Sequence, residues 1–405
     1  MLPIYHKIFI LWAVMKKLIL HIGQSKTGTT SLQAFLRDNS RALIQQGILY
    51  PDYYRVGMPL GILNHNSLAD ALSGLSRYPH FSLHEYSEQF QKEMTKENCH
   101  TMILSGESFF GSPQIWRLDE GQKFLDAHRT KLERLKPFIQ DFETHIIAYM
   151  RSPEDWLESA IAHIIRYEGL IGHKIYENDR QLFELLKPHL DYPEILTLWQ
   201  EIINPAKMTI LPYDRSRLIN QDIVSDFMGR IGIDPSTVSS KPSASEENKS
   251  LDRRYIAVKK WLNKHKRSKT SERAIIECLD YLNNKLHKPQ KYSLNRELHK
   301  DLESYCRPCR EWMTRHYSTD DEDFFKPYSV EIIEPLKESE IIEAWESFER
   351  LYYSMSMRWS RAKIASKGFL RNRMPRLYTV IKNIAATVKP LLPSQKSQTN
   401  SEIKS

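Results

Sequence analysis

Two glycines bracket a short polar loop near the N-terminus, and a lysine lies inside that loop. The segment runs from Leu18 to Leu32, LILHIGQSKTGTTSL, where an apolar run of strand type leads through Gly23 and Gly28 into a helix. The common nucleotide-triphosphate loop, G-x-x-x-x-G-K-[ST], has the same glycine spacing but places its lysine after the second glycine. Here Thr29 follows Gly28 and the lysine is Lys26, so the loop lacks the Gly-Lys pair after which the standard hydroxyl ligand of magnesium is placed. The pattern predicts a phosphate cradle of a different kind.

The chemistry of this loop follows from its position in front of a helix. A helix that begins near Gly28 turns unpaired N–H groups and the positive end of its dipole toward a bound anion. Thr29 and Thr30 add hydroxyl donors, and Lys26 can neutralise charge on a bridging oxygen as it leaves. We expect the loop to hold one terminal phosphate, although glycine-rich turns between strand and helix also occur in many other α/β proteins.

A second candidate binding motif is Thr144 to Arg166, THIIAYMRSPEDWLESAIAHIIR. The apolar run Ile146 to Met150 is typical of a buried parallel strand, and Pro153 is placed to start a helix. Arg151 lies at the strand end and Ser159 lies further along the helix, so both can face one crevice. Taken alone, an arginine in this place is more often a capping or surface residue.

The two motifs together resemble the sulfotransferases that use 3′-phosphoadenosine 5′-phosphosulfate (PAPS), and HIGQSKTGTTSLQ is similar to the bacterial branch of that family. The resemblance implies an α/β fold with a P-loop-like, doubly wound parallel sheet, PAPS as co-substrate and no metal. It implies that Arg151 and Ser159 grip the 3′-phosphate and that Lys26 stabilises the departing bridge oxygen. The residues assigned to PAPS in this way are Gly23, Gln24, Ser25, Lys26, Thr27, Gly28, Thr29, Thr30, Arg151, Ser159 and Lys249. Lys249 is included because Asn248-Lys249-Ser250 resembles a short family motif, although a lysine in a polar loop is usually only solvated.

Sulfuryl transfer to a hydroxyl requires a base within hydrogen-bonding reach of the acceptor. Glu107 follows the apolar run Met102 to Leu104, at the strand end where ligands bind in open α/β sheets. Glu107 is our first candidate, His65 in LNHNSLADAL is the second and His21 is the third. The structural alternatives are a helix-cap or ribose contact for Glu107 and a local hydrogen bond for His65.

Composition limits the remaining choices. A chain of 405 residues with 41% hydrophobic content can bury a full core, and two or three structural units are expected. The formal net charge is +8, but the stretch from Arg358 to Ser405 alone carries +10, which leaves the first 357 residues at −2. Because the excess charge belongs to the tail, composition does not indicate a nucleic-acid partner.

Cysteines and termini point to an intracellular protein. Four cysteines are too few for a disulfide scaffold, and Cys306 and Cys309 lack the second ligand pair of a zinc site. The apolar run Ile8 to Met15 is too short to span a membrane and leaves no room for a signal cleavage site. We therefore interpret residues 1–14 as an upstream extension before a start at Met15, and we expect a cytoplasmic location.

Strand and helix patterns alternate along the chain, which predicts a parallel α/β sheet. Strands are expected at Leu18–Ile22, Thr101–Ser105, His145–Met150 and Met208–Leu211. Helices are expected over 29–46, 83–94, 122–138, from 153 onward, 179–186, 192–203 and 222–231. The predicted domain plan is an α/β core over 15–235, a polar loop over 236–250, a helical extension over 251–366, a basic segment over 367–393 and a disordered tail over 394–405.

These observations predict a PAPS-dependent sulfotransferase that sulfates a hydroxyl. The expected acceptor is a sugar of a cell-surface glycan or glycolipid, because 20 Tyr and 8 Trp offer stacking surfaces. The basic segment over 367–393 either lies on the anionic inner face of a membrane or packs on the domain. Two alternatives stay open. The first is a P-loop nucleotide kinase or NTPase, which needs an acidic residue at the end of a neighbouring strand, and only Glu107 could serve. The second is a nucleotide-binding scaffold that catalyses no reaction.

Overall fold

The computed structural model describes residues 16–51, 64–74, 83–111, 124–167, 178–238, 250–265, 272–318, 322–327 and 336–354. The predicted upstream extension, Lys249, the basic segment and the C-terminal tail lie outside the described residues.

The described strands form one parallel sheet in the order β2-β3-β1-β4-β5. Their bounds are β1 Lys16–His21, β2 Ile48–Leu49, β3 Thr101–Ser105, β4 Phe142–Met150 and β5 Lys207–Pro212. The expected α/β class with a parallel sheet is confirmed, and β3 has the predicted bounds. Strand β2 was not predicted, because two residues are too short to produce a periodic pattern.

Nine described helices belong to the part of the chain that carries the sheet. They are α1 Thr29–Asp38, α2 Ser40–Gln45, α3 Asn66–Leu72, α4 Leu83–Lys96, α5 Phe124–Ile139, α6 Pro153–Tyr167, α7 Asp179–Leu186, α8 Tyr192–Leu198 and α9 Ile223–Arg230. The single helix predicted over 29–46 is interrupted at Asn39, which caps both α1 and α2. Gly47 ends that region with a φ of 74°, in the left-handed range that favours glycine.

Helices cover both faces of the sheet because successive side chains of a strand point to opposite sides. Leu18 and Leu20 of β1 are fully buried in one cluster with residues of α5 and α8. Ile19, between them, packs in a second cluster with residues of α1 and α9. Both sides of β1 are therefore apolar and closed, which leaves the strand ends as the place for polar chemistry.

Four further helices follow the sheet: α10 Arg253–His265, α11 Glu272–Asn284, α12 Arg296–Tyr317 and α13 over 338–354. They form a third apolar cluster with α6 and α7. Arg166 of α6 pairs with Asp280 of α11 at 2.5 Å, and a fully buried ion pair joins Lys259 of α10 to Glu272 of α11 at 3.1 Å. Helix α6, which follows β4 in the chain, thus packs with its apolar side chains in this helical layer.

Candidate anion-binding cleft

A cleft of about 1140 Å³ opens at the carboxyl ends of the strands. Strand β1 lies between β3 and β4, so the chain segments that follow these three strands meet at one edge of the sheet. This is the place where open α/β sheets bind their ligands. The volume lies slightly above the range of roughly 300–1,000 Å³ that is usual for small-ligand pockets.

The loop between β1 and α1 requires both of its glycines. Gly23 has a φ of 105° and Gly28 a φ of 75°, which L side chains rarely adopt. A Cβ atom at Gly28 would lie 2.9 Å from the hydroxyl of Tyr213, and one at Gly23 would lie 3.0 Å from the Cα of Glu107. The loop is therefore packed tightly against the segments that follow β5 and β3.

Two side chains of the loop, both among the residues assigned to the ligand from the sequence, hold the loop in place. Gln24 is 2% exposed; its amide donates to the hydroxyl of Tyr192 at 2.8 Å and accepts from the backbone N–H of Arg151 at 3.2 Å. Thr27 is fully buried and donates to the carbonyl of Gln24. These bonds fix the loop after β1 to the end of β4.

The start of α1 faces the cleft. Gly28 is the N-cap and provides no side-chain cap, so the first N–H groups of the helix remain without a helical acceptor. Ser25, Thr30 and Ser31 line the cleft beside them, and the hydroxyl of Ser25 also accepts from the indole of Trp156 at 3.1 Å. Thr29 is buried, and its hydroxyl donates to Glu107 at 3.3 Å.

Glu107 lies in a short 3-10 turn directly after β3 and lines the cleft. Besides Thr29, its carboxylate accepts from the amides of Gln33 and Asn66, each at 3.1 Å. The turn is held from below by Lys131, whose ammonium donates to the carbonyls of Ser108 and Gly111 at 2.8 and 2.6 Å. Burial lowers the pKa of Lys131 to about 7. Glu107 therefore has a fixed place and orientation.

Lys26 projects across the cleft to α6. Its ammonium lies 2.7 Å from Nδ1 of His163. Desolvation inside the cleft lowers the pKa of Lys26 to about 8, the charge on Glu107 opposes this, and the charges on Arg166 and Arg151 add to it. Desolvation, Lys26 and Arg166 hold the pKa of His163 well below its usual value, so its neutral ring accepts the hydrogen bond from the ammonium.

Arg151 and Ser159 both line the same cleft. Ser152 caps the start of α6: its hydroxyl accepts from the N–H of Asp155 at 3.3 Å and donates to the carboxylate of Asp155 at 2.9 Å. This cap turns the chain sharply after Arg151. The guanidinium of Arg151 makes no hydrogen bond or ion pair with the residues that the structure describes.

The described lining of the cleft is positively charged. It contains seven Lys or Arg residues and three Asp or Glu residues. The basic residues are Lys26, Arg151, Arg166, Arg215, Arg217, Lys291 and Lys326. An excess of cations in a concave site attracts and concentrates anionic ligands.

The two histidines considered as bases do not line the cleft. His65 is fully buried; its Nδ1 accepts from the N–H of Ser105 at 3.1 Å, and its Nε2 lies 3.2 Å from the carbonyl of Pro51. His21 is 1% exposed beside the hydroxyl of Ser105, and burial lowers its pKa to about 3. Both are structural, because a histidine at the end or start of a buried element usually makes such local bonds. We leave both out of the proposed site.

Two groups in the cleft, His163 and Asn66, were not predicted from the sequence. His163 lies one helical turn beyond Ser159, a spacing that places both on one face of α6 and that could have indicated it. Asn66 reaches Glu107 from a segment 41 residues away, and nothing in its local sequence indicates this. The cleft is closed on one side by residues 322–327, whose carbonyls accept from Arg217 and Arg310.

Cys306 and Cys309 are buried on α12, and burial raises the pKa of Cys309 to about 12. Among the described residues no group of His, Cys, Asp or Glu is arranged to hold a metal ion. No helix in the described ranges has the length and apolar character needed to cross a bilayer.

Comparisons with known proteins leave the family open. No family model and no solved structure matches this chain. A curated protein of Archaeoglobus fulgidus, described as an uncharacterized protein, is 21% identical over 113 residues. The match covers 28% of this chain and 29% of that protein's length. It therefore indicates no activity for this chain.

Proposed function

We propose that this protein is a PAPS-dependent sulfotransferase. The observation that carries the proposal is that a loop lysine, Lys26, and the guanidinium of Arg151, which has no hydrogen-bond or ion-pair partner among the described residues, line one cationic cleft at the carboxyl ends of the strands. A ligand with phosphate at two separated places suits such a pair, and the sequence resemblance of both motifs to PAPS sulfotransferases points in the same direction.

In this proposal the glycine loop is P-loop-like and holds the 5′-phosphate. The free N–H groups at the start of α1 and the hydroxyl of Thr30 are the donors. Arg151 and Ser159 hold the 3′-phosphate, which distinguishes PAPS from ATP. A guanidinium suits this task because its planar donors match the oxygens of a phosphate.

Transfer breaks the bond between sulfur and the bridging oxygen and forms a bond from sulfur to the acceptor oxygen. The electron pair remains on the bridging oxygen of adenosine 3′,5′-bisphosphate, where the charge on Lys26 stabilises it. Glu107 takes the proton of the acceptor hydroxyl. His163 cannot take that role, because its Nδ1 accepts from Lys26 and the ring proton of the neutral imidazole is therefore on Nε2.

The acceptor class remains a sugar hydroxyl of a cell-surface glycan or glycolipid. The size of the cleft, about 1140 Å³, suits an acceptor that binds beside a nucleotide. A cytoplasmic location, with membrane contact through the basic segment over 367–393, belongs to the same proposal.

One observation favours a second candidate, a P-loop nucleotide kinase or NTPase. The hydroxyl of Thr29, the residue after the second glycine, lies 3.3 Å from the carboxylate of Glu107. Such enzymes hold magnesium with a loop Ser or Thr and a carboxylate on a neighbouring strand. This candidate predicts magnesium-dependent turnover of ATP.

The decisive experiment is isothermal titration with adenosine 3′,5′-bisphosphate and with ADP, with and without magnesium. We expect a preference for the bisphosphate that does not depend on magnesium and that Arg151→Ala removes, with a loss of roughly ten- to hundredfold in affinity. Arg129→Ala, an exposed arginine on α5 outside the cleft, is the matched control and should bind like the wild type.

Equal affinity for ADP would exclude the sulfotransferase proposal, and turnover of ATP with magnesium would favour the kinase. Tight binding of the bisphosphate without sulfated product from PAPS and a panel of sugar acceptors would favour a scaffold.

A further inference from the structure

We infer that His163 is a positioning residue that keeps Lys26 apart from Glu107. This role rests on the proposed function, in which Lys26 is the cation that stabilises the leaving oxygen and Glu107 is the base. The contact that carries it is the 2.7 Å hydrogen bond between the ammonium of Lys26 and Nδ1 of His163.

Lys26 lies among charges that pull in opposite directions. Glu107 attracts it, whereas Arg151 and Arg166 repel it. A lysine side chain is flexible, and holding it in one place costs conformational entropy. Without another acceptor, we expect the ammonium to move to the carboxylate of Glu107.

The structure keeps these two groups apart. Within the described residues Lys26 forms no ion pair with a carboxylate, and Glu107 accepts from Thr29, Gln33 and Asn66 instead. An ion pair between Lys26 and Glu107 would remove the cation from the anion-binding loop and would occupy the base. His163 therefore preserves both functions by offering the ammonium a different partner.

The chemical type of this partner matters. A neutral imidazole accepts one of the three N–H donors of the ammonium and leaves its charge and its other two donors for a ligand. A carboxylate at position 163 would neutralise Lys26, and a lysine or arginine would repel it. The rigid helix α6 also supplies a firm point of attachment, since the same face carries Ser159 one turn earlier.

The test uses the full-length protein and the affinity for adenosine 3′,5′-bisphosphate, so it needs no acceptor. His163→Leu removes the acceptor atom at similar size, and we expect it to weaken binding about tenfold, the usual effect of one charge-assisted hydrogen bond. His163→Asn places an oxygen near the position of Nδ1 and should stay within about threefold of the wild type.

A purely structural role for His163 is distinguished by a double variant. Adding Glu107→Gln to His163→Leu removes the competing carboxylate, so we expect affinity to return to within about threefold of the wild type. Circular dichroism and thermal unfolding check that each variant is folded. The acceptor contact is disproved if His163→Leu binds normally or if His163→Asn is as weak as His163→Leu. Separation from Glu107 is disproved if the double variant stays weak.

The proposed function and the role of His163 would be disproved by different results. If the wild-type protein does not prefer the bisphosphate to ADP, the proposed function fails. If it does prefer the bisphosphate and the His163 variants bind normally, only the present inference fails.

Discussion

Two groups of basic side chains line the same cleft and differ in what they contact. At the sheet edge, Lys26 is hydrogen-bonded to a neutral histidine, and the guanidinium of Arg151 makes no hydrogen bond or ion pair with a described residue. On the side closed by residues 322–327, Arg217 pairs with Glu322 at 2.9 Å and Lys326 pairs with Asp214 at 2.6 Å. The side chains of the first group can therefore pair with an anionic ligand, whereas those of the second group are already paired with carboxylates of the protein. Counting basic residues in a cleft therefore overstates its capacity to bind anions.

The largest expected effect is on the rate of sulfate transfer, and it distinguishes a lysine of the first group from one of the second. Lys26→Ala should reduce sulfate transfer from PAPS by about a hundredfold or more, because it removes the charge that stabilises the leaving oxygen. Lys326→Ala is the matched control: it removes a lysine from the same cleft, but one that is already paired, and should change the rate less than about threefold. The measurement is sulfate release or transfer from radiolabelled PAPS, with circular dichroism to show that both variants are folded. Undiminished turnover by Lys26→Ala would rule out the assigned role.

Glu107→Gln tests a carboxylate that lines the same cleft. We expect a fall in turnover of about ten- to hundredfold with little change in affinity for adenosine 3′,5′-bisphosphate, since a base acts on the acceptor proton and not on the product. Steady-state rates and titration on the same preparation measure both quantities. A fully active variant would mean that Glu107 orients Thr29 and that the base lies elsewhere.

The pH dependence of binding tests whether Lys26 contacts the ligand. Lys26 has a lowered pKa and forms no ion pair with a described carboxylate. The pKa of Lys26 is lowered to about 8, so its ammonium loses its proton as the pH rises through that value. Affinity for the bisphosphate should therefore be higher below pH 8 and fall above it by about tenfold. Lys26→Arg keeps its charge and should remove this fall, which titrations across the range would reveal. A pH-independent wild type would contradict a direct contact of Lys26 with the ligand.

The smallest effect on ligand binding is expected from a change in the second group, whose side chains form ion pairs within the protein. Arg217→Ala should change bisphosphate affinity by less than about threefold and lower the free energy of unfolding by about 1 kcal/mol, because its ion pair is partly exposed. Thermal unfolding and titration measure the two quantities. If affinity falls as far as in Arg151→Ala, the division of the cleft into two groups is wrong.

Local patterns in the sequence were sufficient for much of the fold. Strand β3 and helix α7 have the predicted bounds, and Pro153 starts α6 as expected. These features depend on neighbouring residues, on apolar runs and on caps. The interruption of the first helix at Asn39 and the short strand β2 were not predicted, since neither leaves a periodic signal.

The sequence alone predicted the glycine loop around Lys26 and the position of Arg151 at the end of β4. Both could be predicted because backbone conformation and strand ends depend on adjacent residues. Tertiary structure alone decided which groups meet in the cleft. Lys26 and His163 are 137 residues apart, and their contact exists because α6 lies beside the loop that follows β1. His65 is buried in the core, where its ring packs on Tyr50 and both ring nitrogens lie beside backbone polar atoms of Ser105 and Pro51. A histidine has the same local sequence preferences in either place, so burial and partners across the fold determine whether it supports a site or a core.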